Sequence, residues 1–482
     1  MRLFLATITT FLIVSCVTQK YQTPGMAVQG YLFRDSTSRD TTSGAIASGD
    51  TATIASGDTA TIASLPYTSL FADTVLQGLI EEGLRENPDL KVAIQRMNES
   101  RENFQQSRAA LLPDLSANAN VNPSRQSAAA QDIPSAYIGA YPLTTTLYQI
   151  SLTSTWEADI WGKLTSAKRS VFATYLQTDA ARRAIRTQLI ADIANYYYLL
   201  LSYDEQLKIT LQTISNRQND VTTLKALKES GLANGAEVVQ SEANRASAEL
   251  LVPDLRQNIR EAENALCLLL GRTPGEIRRA TLAEQTPYPN LQTGVPSGLM
   301  KNRPDVQEAE FAFRAAFENV NVAKTYFYPQ LTITAQGGYS NLTIKDFFLN
   351  SIFYNVVAGL TQPIFNKRLN KTRLRVAQAQ QKEAFFTYQK TLLTAGMETS
   401  NSLYSYQTAL EKQSIRQDQI KNLEKAVDFT KELLRYSSAT NYTDVLTSEQ
   451  SLLSAQLNNI GDRLQQLQAV VNLYRALGGG WQ

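Results

Sequence analysis

Two stretches of the chain, "NPDLKVAIQRMNESRENFQQSRAALLPDLSANANV" from Asn87 and "RPDVQEAEFAFRAAFENVNVAKTYFYPQLTITAQGGY" from Arg303, follow one plan. Pro88-Asp89 recurs as Pro304-Asp305, and Pro113 recurs as Pro329 with a leucine two residues after each, so one offset of 216 residues fits both anchors. Further along, Asp192 and Asn195 match Glu398 and Asn401, Glu242 matches Glu449, and Leu270-Gly271 matches Leu477-Gly478, at offsets of 206 and 207. A loop about ten residues longer in the first half explains the change, and chance would not keep so many anchors in order. The chain is a tandem duplication. Whatever one half builds the other must build too, so the 482 residues form one architecture rather than the roughly three domains that length alone would permit.

Each half is read as helices interrupted by strands. No proline occurs from Leu143 to Val252, nor from Ile364 to the end, and both tracts are rich in Ala, Leu, Gln, Glu, Lys and Arg, as long helices require. Leu200, Leu207, Ile214 and Val221 fall seven apart, and Ile420, Val427 and Leu434 repeat the spacing; this fits a coiled-coil seam or the core of a helical bundle. Lys163 to Ser230 is 68 residues, about 100 Å as one helix. Its return segment, Ala236 to Leu270, has 35 residues and covers roughly half that height. The gap is filled if Pro88 to Leu112 stacks end to end with the return helix. Pro88 and Pro304 then occupy first turns, where the missing N–H costs nothing, and Asp89 and Asp305 meet the positive end of the helix dipole.

After each short helix the period changes to two. "LSANANVN" from Leu115 sets Leu115, Ala117, Ala119 and Val121 against Ser116, Asn118, Asn120 and Asn122; "LTITAQ" from Leu331 does the same. Partner strands start near Ile150 and Tyr354, placing four strands near 115–122, 147–156, 331–340 and 353–362. Small apolar residues opposed to Ser, Thr, Asn and Gln make the dyad pattern of a lipid-facing barrel with a wet lumen, and a half-buried sheet of a soluble protein would show it too. Trp156 and Trp161 suit either an interfacial belt or a core. As a barrel, four strands cannot close, since open edges leave backbone groups unsatisfied in hydrocarbon. Two copies would give a lumen filled by side chains and three would leave room for a channel. The fold class expected is an α+β membrane protein, a homotrimer with four barrel strands per chain.

Residues 1–15, "MRLFLATITTFLIVS", carry one arginine and then a mostly apolar run, too short to span a bilayer as a permanent helix, and read as a signal peptide. Ile13-Val14-Ser15-Cys16 resembles the bacterial lipobox, with Cys16 as the lipidated residue and outer-membrane lipid as the partner it would engage. Residues 16–66 read as a tether with too little apolar surface to pack, including the repeat "IASGDTAT" from Ile46 and Ile54. The first repeat is taken as 67–285 and the second as 286–482. Cys267, in "ALCLLLG", reads as a small core residue. With 46 basic residues, 44 acidic and no histidine, nothing favours nucleic acid, and catalytic triads, His-ligated metals and most neutral-pH acid–base schemes lose their imidazole. No cofactor motif is present, and no enzyme is expected.

"VPSGLMKNRPDVQEAE" from Val295, "YFYPQLTIT" from Tyr326, "DIWGKL" from Asp159, "ALCLLLGRTPGEI" from Ala265 and "QPIFNKRL" from Gln362 together resemble the outer membrane factor family. These are the TolC-like exit ducts of tripartite efflux pumps, and the likeness is to their lipoprotein branch. The resemblance implies a trimer anchored at Cys16, a twelve-stranded outer-membrane barrel, and a helical tunnel reaching through the periplasm to a membrane-fusion adaptor and an inner-membrane resistance-nodulation-division (RND) transporter. Drugs, dyes or metal ions would pass unchanged. It places adaptor docking at the hairpin tips Gly231, Leu232, Ala233 and Ser437, Ser438, Ala439, and a periplasmic gate at Tyr436, Thr443, Asp444 and Thr447. The gate departs from the family pattern, since Thr443 and Thr447 stand where apolar and acidic residues are usual. Two other readings are an exit duct for protein secretion and a lipid-anchored coiled-coil scaffold with no pore.

Overall fold

A computed structural model describes residues 18–24, 61–131, 143–288, 302–436 and 442–481; Cys16, most of the tether and the tip residues Ser437, Ser438 and Ala439 lie outside them. The elements follow one order twice. After helix α1 (Thr74–Glu86), the first series is helix α2 (Pro88–Ala109), strands β1 (Asp114–Arg125) and β2 (Thr144–Ala158), the long helix α3 (Lys163–Glu229), then α4 (Gly235–Glu249) and α5 (Leu251–Leu269). The second series is α6 (Pro304–Thr325), β3 (Gln330–Asn341), β4 (Ile352–Thr361), α7 (Leu369–Tyr436) and α8 (Tyr442–Ala476).

The chain forms two compact units, and α2, α3, α6 and α7 run through both. The first comprises Met1–Gly25, Met97–Gln177 and Ala309–Thr387 and carries one antiparallel sheet in the order β1-β2-β3-β4. The outer edges of β1 and β4 pair with no strand among the described residues. Trp161 sits just beyond β2, its ring 5.0 Å from that of Tyr328 and its indole N–H donating to the Pro329 carbonyl at 2.7 Å.

The second unit comprises Met26–Arg96, Thr178–Glu308 and Tyr388–Gln482. Seam residues Leu200, Val221 and Val427 are buried there, and Leu207, Ile214, Ile420 and Leu434 are half-buried. The start of α2 meets the end of α5, as end-to-end stacking requires: the Asn87 amide donates to the Leu269 carbonyl at 2.8 Å, while its Oδ1 accepts from the Leu90 N–H at 2.9 Å. Asn87 is thus the cap that lets Pro88 open the helix. At the start of α6, Arg303 donates to the Ala476 carbonyl at 2.9 Å and forms ion pairs with Asp305 at 2.6 Å and Glu398 at 2.8 Å.

Two expectations need correction. The return segment of the first repeat is not one helix: it breaks at Leu250, because Pro253 has no N–H for the Glu249 carbonyl. The stretch assigned to a tether is packed where it is described. Tyr21 lies against the rings of Phe313 and Phe317 at 5.9 and 5.6 Å, and Gln19 exchanges two hydrogen bonds with Asn321. In the helical unit Ile62 and Ala63 are buried and the Tyr474 hydroxyl donates to the Leu65 carbonyl at 2.7 Å. A short polar segment can thus be fixed by a few apolar contacts to helices already formed.

Candidate functional site

The sheet has two chemically distinct faces. In an antiparallel pair directly opposed residues point to the same side, and each strand alternates. The registers Ala117↔Leu152, Ala119↔Ile150 and Val121↔Tyr148, then Ile150↔Tyr339 and Trp156↔Ile333, then Ala335↔Val356 and Tyr339↔Ile352, therefore place these residues on one side. Leu115, Leu331, Tyr354 and Leu360 join them by alternation. Most of the large side chains on this face are exposed in the protomer. The opposite side carries Ser116, Asn118, Asn120, Ser151, Thr153, Thr334, Gln336 and Asn355. There the Asn118 amide donates to Thr153 Oγ1 at 3.3 Å and the Gln336 amide to Ser151 Oγ at 3.0 Å. The sheet thus has a mostly apolar surface, interrupted by Ser154, backed by a mostly hydrogen-bonding one to which β4 adds Phe353 and Val357. Trp156 lies on the apolar face and donates its indole N–H to the Leu111 carbonyl at 3.1 Å.

Thr18, two residues beyond Cys16, lies at the junction of β2 and α3, where a Cβ on Gly162 would fall 3.2 Å from Thr18 Cγ2. The described chain therefore emerges beside the end of a strand whose face is apolar.

Within the helical unit the two hairpins share a small core of Leu224, Val238, Tyr442 and Val445, against which Leu227, Ala233, Leu434 and Leu446 pack. The first tip is a tight turn: Gly231 adopts φ +74° and the N–H groups of Leu232 and Ala233 both donate to the Leu227 carbonyl. Asn234 and Glu237 then form a reciprocal capping box that starts α4. Leu232 is left exposed while Ala233 faces the shared core.

Thr443, Asp444 and Thr447 lie together on an exposed strip of α8, with the Thr447 hydroxyl donating to the Thr443 carbonyl at 2.8 Å, and Tyr436 is exposed at the end of α7. Glu449 faces the other way. It is buried and forms an ion pair with Lys431 at 2.5 Å, while Lys431 also reaches Asp220 at 3.1 Å. One lysine from α7 thus ties an acid on α3 to an acid on α8. Burial pushes the Glu449 carboxyl above the usual carboxylate range, and Asp220 nearby adds to the shift, while Lys431 opposes it. Lys431 is held above the usual lysine range by its bonds to the two acids, against the opposing effect of its own burial. A polar cavity of about 120 Å³, lined by Arg217, Lys431, Glu449 and Gln456, adjoins the cluster, and Arg217 donates to the Asn244 carbonyl at 2.6 Å.

The repeat pattern does not announce this clasp, since it marks Glu449 only as the counterpart of Glu242. The signal was its place in the stripe Tyr442, Val445, Glu449, Leu453, all of them buried. Among the described residues no group of His, Cys, Asp and Glu could hold a metal, and no helix is long and apolar enough to cross a membrane.

The profile of the outer membrane efflux protein family matches residues 79–272 and 295–479. The toluene efflux pump outer membrane protein TtgC of Pseudomonas putida is 28% identical over 98% of this chain and 94% of its own length. The pyoverdine export outer membrane protein OpmQ of Pseudomonas aeruginosa is 30% identical over 86% of each chain. Among solved structures, the outer-membrane channel OprN superposes with a TM-score of 0.85 at 22% identity, covering 97% of this chain and all of that one. The likeness to OprN shows that the fold is that of a TolC-like channel.

Proposed function

Because this chain belongs to the outer membrane efflux protein family and serves as an outer-membrane exit duct of an efflux pump, we propose that it does so as a lipid-anchored homotrimer whose twelve strands close one barrel. The carrying observation is a four-stranded sheet with a largely apolar face and two outer edges that pair with no strand among the described residues. In hydrocarbon each unpaired backbone group costs several kcal/mol, so the edges of β1 and β4 must meet those of neighbours. Three copies leave an open lumen lined by the Ser, Thr, Asn and Gln face, where two would leave a filled one. In the helical unit, Leu393, Met397, Tyr404, Ile415 and Phe429 form an exposed strip along α7, an apolar surface for an adjoining copy to cover.

Acylation of Cys16 would supply the anchor, and the position of Thr18 beside the β2–α3 junction supports an anchor near the membrane rim. Gly231, Leu232 and Ala233, with Ser437, Ser438 and Ala439 of the second tip, would dock a periplasmic adaptor coupled to an RND transporter. Tyr436, Thr443, Asp444 and Thr447 would narrow the lower opening. Small molecules, whether drugs, dyes or metal ions, leave chemically unchanged. Native mass spectrometry of the acylated protein, with conductance in planar bilayers, tests the reading: a diacyl- or triacyl-modified trimer that conducts is expected, and a non-conducting monomer would reject it.

A further inference from the structure

The junction between the last strand and α7 carries a surface that the duct reading leaves unused. Between Asp346 and Glu383 the sequence has no acid, yet it has Lys367, Arg368, Lys371, Arg373, Arg375 and Lys382. Ile364 and Phe365, just past the end of β4, are 98% and 86% exposed. Lys367, Arg368, Lys371 and Arg375 are exposed as well, and none of them forms an ion pair among the described residues, whereas Arg373 lies 4.6 Å over the Tyr326 ring. Lys371 and Arg375 stand four apart on one helix, an arrangement that repels.

The first repeat neutralises part of the same junction internally. There Lys163 pairs with Glu157 at 3.0 Å, and Asp159 accepts from the N–H groups of Leu164 and Thr165 at 2.9 and 2.8 Å. In the second repeat Thr361 and Pro363 take the places of those two acids. Lys168 and Arg169 of α3 form no ion pair among the described residues either, so the two junctions differ in degree, and the larger unpaired charge, on Lys367, Arg368, Lys371 and Arg375, is left for something outside the chain at β4–α7.

We propose that this junction binds the phosphates of anionic phospholipids in the leaflet facing the periplasm, a site present in the second repeat only. The inference rests on the barrel reading, because β4 brings its apolar face to the same place. Ile364 and Phe365, exposed just past the end of β4, would enter the acyl region, and Lys367, Arg368, Lys371 and Arg375 would follow at headgroup level. Apolar residues succeeded by unpaired basic ones match the depth profile of a bilayer with an anionic surface.

The test uses native mass spectrometry of the full acylated protein with added phosphatidylglycerol or phosphatidylethanolamine of identical chains. Wild type should retain phosphatidylglycerol in preference, and the combined variant Lys367→Ser, Arg368→Ser, Lys371→Ser, Arg375→Ser should lose that preference at least tenfold while remaining a conducting trimer. Lys163→Ser, at the neutralised junction, should leave it unchanged. If the combined variant fails to assemble, Lys371→Glu alone carries the test. Equal retention of the two lipids by wild type, or an undiminished preference in the variants, would overturn the proposal. Displacement of the lipid by millimolar inorganic phosphate that itself stays bound would make this a phosphate site instead, and a variant that falls to monomers with its preference intact would assign the loop to a second copy. A wild-type protein that is neither trimeric nor conducting would defeat the barrel reading first, which separates the two failures.

Discussion

The joints at the starts of α2 and α6 perform one task with different chemistry. Asn87 holds the Leu269 carbonyl with a neutral amide, whereas Arg303, 5% exposed, holds the Ala476 carbonyl with a guanidinium that must also be neutralised by Asp305 and Glu398. What both joints keep is a glycine. Gly271 has φ +68° and Gly478 φ +84°, and a Cβ on either would run into the backbone at Glu86 or Asn302. After duplication the side chains were free to diverge, while the backbone-to-backbone approach was not, because only glycine accepts that φ and leaves that space. Asn87 and Arg303 therefore mark where the halves drifted, and Leu270-Gly271 and Leu477-Gly478 mark what they had to retain.

The comparison is tested most severely by Arg303→Ala. Removing the guanidinium takes a donor from the Ala476 carbonyl and a charged partner from Asp305 and Glu398, of which Glu398 keeps Arg475 at 3.3 Å and Asp305 keeps the Val306 N–H at 2.9 Å, and losing these charge-assisted bonds costs about 3 kcal/mol. Asn87→Ala loses one cap and one neutral hydrogen bond, about 1–2 kcal/mol. Denaturant or thermal unfolding of the purified protein should rank Arg303→Ala well below Asn87→Ala, and equal losses would mean that the charges at the second joint contribute nothing beyond the shared hydrogen bond.

A smaller effect separates the return helices α4 and α8. Only α8 carries a buried acid in the clasp with Lys431 and Asp220. Because the folded Glu449 holds its proton to a higher pH than the unfolded chain does, its contribution is fully present below the ordinary carboxylate range and is lost as pH rises through its folded pKa. Lys431, also raised, loses its contribution only above the ordinary lysine range. Both act in one direction, with Glu449 first, so the joined hairpins should be tightest at and below the ordinary carboxylate range and should loosen as the pH rises above it. Hydrogen exchange across residues 442–453 should slow as pH falls, after correction for intrinsic exchange, and Glu449→Gln should flatten the dependence. A steep dependence surviving in that variant would place the titrating group elsewhere.

Much of this was legible because it rests on periodicity. The 216-residue offset announced two equivalent joints, the proline-free tracts announced α3 and α7, and Ser/Asn alternation with Leu and Ala announced the two faces of β1. The clasp was not legible in the same way, because Asp220, Lys431 and Glu449 look like ordinary solvated charges until three helices bring them together. Glu449 alone betrayed itself, by occupying an apolar stripe, and Arg217 lies between Ile214 and Val221 in the same manner. The packing of residues 18–24 could not be read at all: Tyr21 is one aromatic in a polar segment, and its partners Phe313 and Phe317 lie some 290 residues away.

The smallest effect concerns the break in the first return segment. Both return segments span 35 residues, yet α8 is continuous and its counterpart divides at Leu250. Leu250 keeps a right-handed helical conformation, φ −62° and ψ −26°, so the interruption is a missing hydrogen bond rather than a change of direction imposed by packing. If Pro253 alone is responsible, Pro253→Ala restores a donor for the Glu249 carbonyl, and the gain should be no more than about 1 kcal/mol, since the neighbours have already settled around the proline ring. The readout is protection of the amides from Leu250 to Leu255, which should rise in the variant while the global midpoint barely moves. Unchanged protection would show that the division is set by what α4 and α5 pack against, and the two return segments would then differ in tertiary environment rather than by one residue.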